Sequence, residues 1–169
     1  MRAGSETRAN FMGLINSLLR VLWRLFWASK EQSPDIASQR YTTLSRFIFF
    51  KNHFSRAKGV PKPQAFLPPA NLKMSASGID GLVDNQIWQI GDGAGRSRML
   101  LALSRADFKP SAVYDVDVDK VRLTIEAAPQ PHDPMHVNVC GWPIEKDVRL
   151  SIAQDLCAKS MLRIRPESD

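Results

Sequence analysis

Seven prolines packed into two short segments limit how long any regular element of this chain can be. Pro61, Pro63, Pro68 and Pro69 fall within residues 59–69, and Pro129, Pro131 and Pro134 within residues 129–134. Proline has no N–H to donate, and its ring clashes with the preceding turn of a helix. Neither segment can therefore be a helix or a central strand. What remains is a set of short pieces that must reach a common core as short strands and helices.

The patterning of those pieces is mixed. Residues 41–54 are aromatic and β-branched around Phe47, Ile48, Phe49 and Phe50, which predicts a buried strand. Leu72, Met74 and Ala76 alternate with polar neighbours and predict a second strand ending near Gly78. Asp84 is a suitable N-cap for a short helix over residues 85–90, stopped by Gly91. Residues 99–104 fit helix and strand equally. Val121, Leu123 and Ile125 alternate as a strand, and residues 135–140 form another. After Gly141-Trp142-Pro143, Ile144, Val148, Ile152 and Leu156 recur at four-residue steps, with Ala153 and Cys157 alongside, the pattern of an amphipathic helix. Met161, Leu162 and Ile164 then predict a last short strand. Without regular βαβ alternation the expected class is α+β: a small mixed sheet with a long C-terminal amphipathic helix. A length of 169 residues suffices for one such domain with a real core.

Residues 11–27 stand apart. Apolar side chains dominate, and Asn16, Arg20 and Arg24 recur every fourth residue, giving a helix with a wide apolar face and a narrow polar stripe. A membrane-spanning helix needs about 20 apolar residues and tolerates internal arginines poorly. A secretory leader needs an uncharged core and a small-residue cleavage site, and Ala28-Ser29-Lys30 is a poor one. An N-terminal amphipathic helix fits better. Through Leu18, Leu22, Trp23, Phe26 and Trp27 it would dock a partner protein, lie on an anionic membrane surface, or cover the protein's own sheet. Ser33-Pro34-Asp35 marks a linker. The expected division is an N-terminal helix and linker over residues 1–39 and one α+β domain over 40–169.

Charge sharpens the partner class. Lys and Arg number 23 against 17 Asp and Glu, a net +6. Residues 1–60 hold ten basic and three acidic side chains, net +7, and residues 61–169 hold thirteen and fourteen, net −1. A positive field confined to the first third attracts phosphates, anionic membranes or an acidic partner. Cys140 and Cys157 have no CxxC spacing, which points to reduced thiols in a cytoplasmic protein, at most peripheral to the inner face of the membrane.

Among chemical constellations, Lys51-Asn52-His53-Phe54-Ser55-Arg56-Ala57-Lys58, extended by Lys62, is the richest. Lys51, Ser55, Arg56, Lys58 and Lys62 are the cations and hydroxyl a phosphate needs, Phe54 is a candidate base-stacking ring, and His53 a candidate general acid or base. The bland alternative is a solvated strand end with Phe54 facing the core. His132-Asp133-Pro134-Met135-His136, with Cys140 beyond, carries metal-ligand types, but the prolines forbid the helix that would bring both imidazoles to one ion, so no metal or other cofactor is expected. If the His136 strand adjoined His53, the two histidines with Arg56 and Asn138 would suit metal-independent phosphodiester cleavage. Asp115, Asp117, Asp119 and Glu126 fall at calcium-loop spacing, but Lys120 replaces the required glycine, so the Asp/Val alternation reads as an exposed strand. Gly91-Asp92-Gly93-Ala94-Gly95-Arg96 lacks phosphate-loop spacing and reads as a flexible loop. The leading expectation is a nucleic-acid or other polyanion binder acting through its N-terminal third. An accessory protein docking through residues 11–27 is the alternative, and a His53/His136 phosphodiesterase the lesser one.

Overall fold

The computed structural model describes residues 40–167. Their centre is β1 (Leu44–Ile48), flanked by β4 (Met74–Gly78) and β5 (Ser104–Phe108). Outside β4 lie β7 (His136–Cys140) and then β6 (Thr124–Ala127); outside β5 lies β8 (Met161–Ile164), giving the order β6-β7-β4-β1-β5-β8. Every neighbouring pair is antiparallel. A separate two-stranded hairpin pairs β2 (Phe54–Ser55) with β3 (Val60–Pro61), where Pro61 sits in an edge position that tolerates it.

Period-two alternation gives the sheet two different faces. The first is apolar: Leu44, Ile48, Met74, Ala76, Ala106, Phe108, Ile125, Val137 and Val139 are buried in one cluster. Over it lie Ile152, Ala153 and Leu156 of α3 (Lys146–Ala158), Ala112 and Val113 of the short α2 (Ser111–Tyr114), Phe66 and Trp142. The second face bears Ser45, Phe47, Ser77, Arg105, Asp107 and His136, and α1 (Asp84–Gly95) covers part of it through Ile87 and Trp88 against Phe47 and Ala102. Phe47 and Ile48 are both buried because each faces a covered side.

The α+β class therefore holds, while its expected details need correction. The sheet is neither small nor mixed: it has six strands, all antiparallel. The C-terminal helix exceeds the α-helix that begins at Asp84 by only one residue. It has 13 residues, and Ile144, the first member of its expected apolar stripe, precedes it and is exposed. The longer helical run begins at Asp84, continues through Gly91, Gly93 and Gly95, and ends in a 3-10 turn at Arg96–Arg98. Gly91 does not stop it, and residues 91–96 are not a loop. Packing explains this: a Cβ on Gly91 would come within 2.5 Å of the Phe47 ring and one on Gly95 within 2.1 Å of the Leu100 carbonyl oxygen. Bare backbone lets the helix settle onto the sheet, and that close approach outweighs the low helix propensity of glycine. The Asp115–Asp119 segment is not a strand either; it leaves α2 through turns, with left-handed backbone at Asp119 and Lys120, and β6 begins only at Thr124. The expected N-terminal amphipathic helix, with Leu18, Leu22, Trp23, Phe26 and Trp27, lies outside the described residues.

Candidate functional site

Ile48, Ser104 and Ile164 stand in register at one end of the sheet. From that end project the 3-10 turn Lys51–His53, the β2–β3 hairpin, the 3-10 turn Pro63–Ala65, the Arg96–Arg98 turn and the chain after β8. The positive charge gathers here. Residues 46–73 contain no Asp or Glu, while Arg46, Lys51, Arg56, Lys58, Lys62 and Lys73 supply cations. Carboxylates reaching this region are already matched: Asp92 to Arg165 at 2.6 Å, Glu167 to Arg56 at 2.8 Å, and Glu126 to Lys73 at 3.9 Å. Among the described residues, Lys51, Lys58, Lys62, Arg96 and Arg98 form no ion pair, and all five are exposed.

Each expected polyanion-binding residue has a definite place. Ser55 Oγ accepts the Lys58 N–H at 3.3 Å and closes the hairpin turn that carries Arg56 and Lys58 outward. The Lys62 N–H donates to the His53 carbonyl at 2.9 Å, setting those two residues side by side. Lys51 and Arg56, with Phe54, Leu103, Arg165 and Glu167, line a groove of about 570 Å³. Phe54 itself is 8 % exposed and belongs to the core, so it offers no ring to a base. The accessible ring is its neighbour Phe50, 45 % exposed and edge-on to His53 with centroids 5.3 Å apart. Arg98 lies over the Phe49 ring at 5.0 Å.

Arg46 is the residue that sequence reasoning missed. It occupies the apolar face of β1 between Leu44 and Ile48, where a cation is unexpected. The β1–β4 ladder is in register at Leu44–Gly78 and Ser45–Ser77, and beyond it the Arg46 guanidinium donates to the Ser75 carbonyl at 2.9 Å and the Ala65 carbonyl at 3.0 Å. It thus ties β4 and the Pro63–Ala65 turn to β1 by side-chain hydrogen bonds. Burial, with help from nearby Arg98, pushes its pKa down to about 10. Burial also lowers the His53 pKa, followed by the charges of Arg46 and Lys62. His53 is therefore neutral near pH 7.

The second face carries a different arrangement. Register places His136 opposite Ser77, Ser77 opposite Ser45, and Ser45 opposite Asp107, a polar row across four strands. Ser77 Oγ donates to Asp133 Oδ2 at 2.5 Å, and His136 Nδ1 lies 3.4 Å from the same oxygen. Ser45 Oγ donates to Asp107 at 2.8 Å, and Arg105 reaches Asp107 and Asp84 at 3.3 and 2.8 Å. In a nucleophilic triad the imidazole stands between hydroxyl and carboxylate so that it can take the hydroxyl proton. Here the carboxylate stands between, and Ser77 and Asp133 are buried. The cluster pins the 129–134 loop to the sheet.

The two histidines of the cleavage hypothesis are not brought together: His136 pairs with Ser77 near the Leu44 end of the sheet, whereas His53 follows β1 beyond its Ile48 end. His132 packs against Gly93 of α1, away from Cys140 at the far end of β7. Among the described residues no three His, Cys, Asp or Glu side chains converge on a point suited to a metal ion, and no helix is long and apolar enough to cross a membrane. Comparison with protein-family models, curated proteins and solved structures gives no match.

Proposed function

We propose that this protein binds a polyanion, single-stranded nucleic acid in particular, on the surface at the Ile48 end of its sheet. The observation that carries the reading is the excess of unmatched cations there: among the described residues Lys51, Lys58, Lys62, Arg96 and Arg98 have no carboxylate partner, while neighbouring acids are already engaged. Unpaired, solvent-facing ammonium and guanidinium groups are the electrostatic footprint of phosphate binding. The exposed Phe50 ring and the Arg98–Phe49 pair favour a single strand over a duplex, because unpaired bases can stack on aromatic and guanidinium planes. A reducing cytoplasmic setting belongs to the same reading and rests on two free thiols, Cys140 and Cys157.

Fluorescence anisotropy of a labelled single-stranded oligonucleotide, titrated with the full chain across a range of salt, tests it. Affinity should fall steeply with salt, by a slope of about 0.7 per phosphate neutralised. Charge reversal at Lys58 and Lys62 should weaken binding and flatten the slope. Absent or salt-independent binding removes the reading.

A further inference from the structure

We infer that Arg46, His53 and Lys62 form a subsite for a terminal phosphate monoester on the bound strand, with the adjoining base against Phe50. The inference rests on the polyanion reading above and goes beyond it by separating the end of a strand from its backbone.

Main-chain hydrogen bonds hold the three residues close together, and the charges of Arg46 and Lys62 reach the His53 ring. The Arg46 Nε donates to the Ala65 carbonyl and Nη1 to the Ser75 carbonyl, which fixes the plane of the guanidinium. Nη2 has no hydrogen-bond partner among the described residues. The Ala65 N–H donates to the Lys62 carbonyl at 2.9 Å, and the Lys62 N–H to the His53 carbonyl at 2.9 Å. One hydrogen-bonded path thus leads from the guanidinium to the ammonium-bearing and imidazole-bearing residues. No carboxylate lies on that path, and the chain supplies none between residues 36 and 79. The His53 ring meets Phe50 edge-on, and Phe50 faces solvent.

The chemistry favours a monoester over a bridging phosphate. A diester carries a single charge, and exposed, flexible lysines such as Lys51 and Lys58 suffice to track it. A half-buried guanidinium held in one plane has already lost part of its hydration, and it gains most from a compact, concentrated charge. A phosphate monoester offers about 1.5 to 2 negative charges near neutral pH and three acceptor oxygens. The unengaged Nη2 can donate to one of those oxygens. Neutral His53 adds an N–H donor for a second, and Lys62 supplies an ammonium at the rim.

Three oligonucleotides of one sequence, ending in 5′-hydroxyl, 5′-phosphate or 3′-phosphate, are compared by anisotropy with the full-length protein at constant ionic strength, the label placed at the opposite end. One phosphorylated end should bind about tenfold more tightly than the hydroxyl form, the scale of a charge-assisted contact to a fixed guanidinium. Substituting Arg46 also breaks the contacts to Ala65 and Ser75, so the decisive variants are His53→Gln and Lys62→Ala. Each should bring the ratio of phosphorylated to hydroxyl affinity close to one. Equal affinity for all three oligonucleotides overturns the subsite and leaves the backbone reading standing. A ratio that survives in both variants overturns the assignment to these residues. Failure of every oligonucleotide to bind overturns both readings.

Discussion

Arg165 grips Asp92 with two parallel hydrogen bonds, Nη1 to Oδ1 at 2.6 Å and Nη2 to Oδ2 at 2.9 Å, and so ties the chain after β8 to the middle of α1. The same guanidinium lies over Trp88 at 5.6 Å, with Arg105 at 5.0 Å from that ring. Burial acts to raise the Asp92 pKa, but the Arg165 hydrogen bond, the Ala102 N–H and the charge of Arg165 together outweigh it and hold it below the usual carboxylate value. Stability from this pair is therefore full above that usual value and is lost as the pH falls through the lowered one. Asp92→Asn should cost about 1 kcal/mol, since the pair is partly solvated. It should also strengthen oligonucleotide binding, because it releases Arg165 into the groove with Lys51 and Arg56. Denaturant melts and anisotropy check the two halves separately, and a variant that loses affinity contradicts the second.

The glycines of α1 make a sharper stability prediction. In an exposed helix, Gly→Ala is stabilising by up to about 1 kcal/mol. At Gly91 and Gly95 the sign should reverse, because the new methyl group meets the Phe47 ring and Ala102 in one case and the Leu100 carbonyl in the other. Overpacking of this kind costs about 1–3 kcal/mol. Gly95→Ala should be the worse, since its obstacle is backbone and cannot rotate away. A rise in melting temperature for either variant would refute the packing argument.

Those glycines also show where the sequence was legible and where it was not. β4, β7, α3 and β8 could be read from alternation or four-residue spacing, because each has one covered and one more open side. β5 could not: Ser104-Arg105-Ala106-Asp107-Phe108 looks like a polar loop, since Arg105 and Asp107 are satisfied by Asp84 and Ser45, residues remote in sequence. Likewise, nothing local marks residues 91–95 as helix; only Phe47 and Leu100, brought up by the fold, give the reason. The candidate surface was half legible. Lys51, Arg56, Lys58 and Lys62 declare themselves by composition, whereas Arg46 is hidden inside an apolar run, and Phe54 and Phe50 exchange roles because the strand ends at Ile48.

Asp133 is buried, accepting the Ser77 hydroxyl at 2.5 Å and the Met135 N–H at 3.1 Å, with His136 alongside. Asp133→Ala leaves those groups without their acceptor in a site closed to water. The cost should be about 2–4 kcal/mol, visible as a lower denaturation midpoint. Oligonucleotide affinity of the folded fraction should not change, because this cluster sits at the other end of the sheet. Loss of binding without loss of stability would contradict a purely structural role.

The two thiols should be poor nucleophiles in the native state. Burial, with the hydrogen bond and charge of Glu126, pushes Cys140 up to about 11, and burial raises Cys157, whose Sγ donates to the Pro61 carbonyl at 3.2 Å. The thiolate is the reacting species, so alkylation near pH 8 should be slow for both and become fast on denaturation. Mass spectrometry after timed iodoacetamide treatment reads this directly. Rapid native labelling of Cys140 would contradict its burial.

His53 links pH to both stability and binding, with opposite signs. Its folded pKa is lowered, first by burial and then by Arg46 and Lys62, so the unfolded chain takes up its proton at higher pH than the native state does. The contribution of His53 to stability is therefore complete above about pH 6.5, declines as the pH drops below it, and levels off beneath the folded value. A bound phosphate faces the same Arg46 and Lys62 charges and offsets them, which raises the His53 pKa in the complex. Binding then takes up a proton, and affinity should rise as the pH falls between the bound and free values, by at most tenfold per pH unit for one proton. A phosphate-ended oligonucleotide is the right probe, because only it fills the subsite, and its own second ionisation at about pH 6 acts on wild type and variant alike. The informative quantity is therefore the difference between wild type and His53→Gln, in which every other group is shared. The variant should lose the rise in affinity at low pH. An identical affinity profile in the two proteins would show that His53 does not face the bound phosphate.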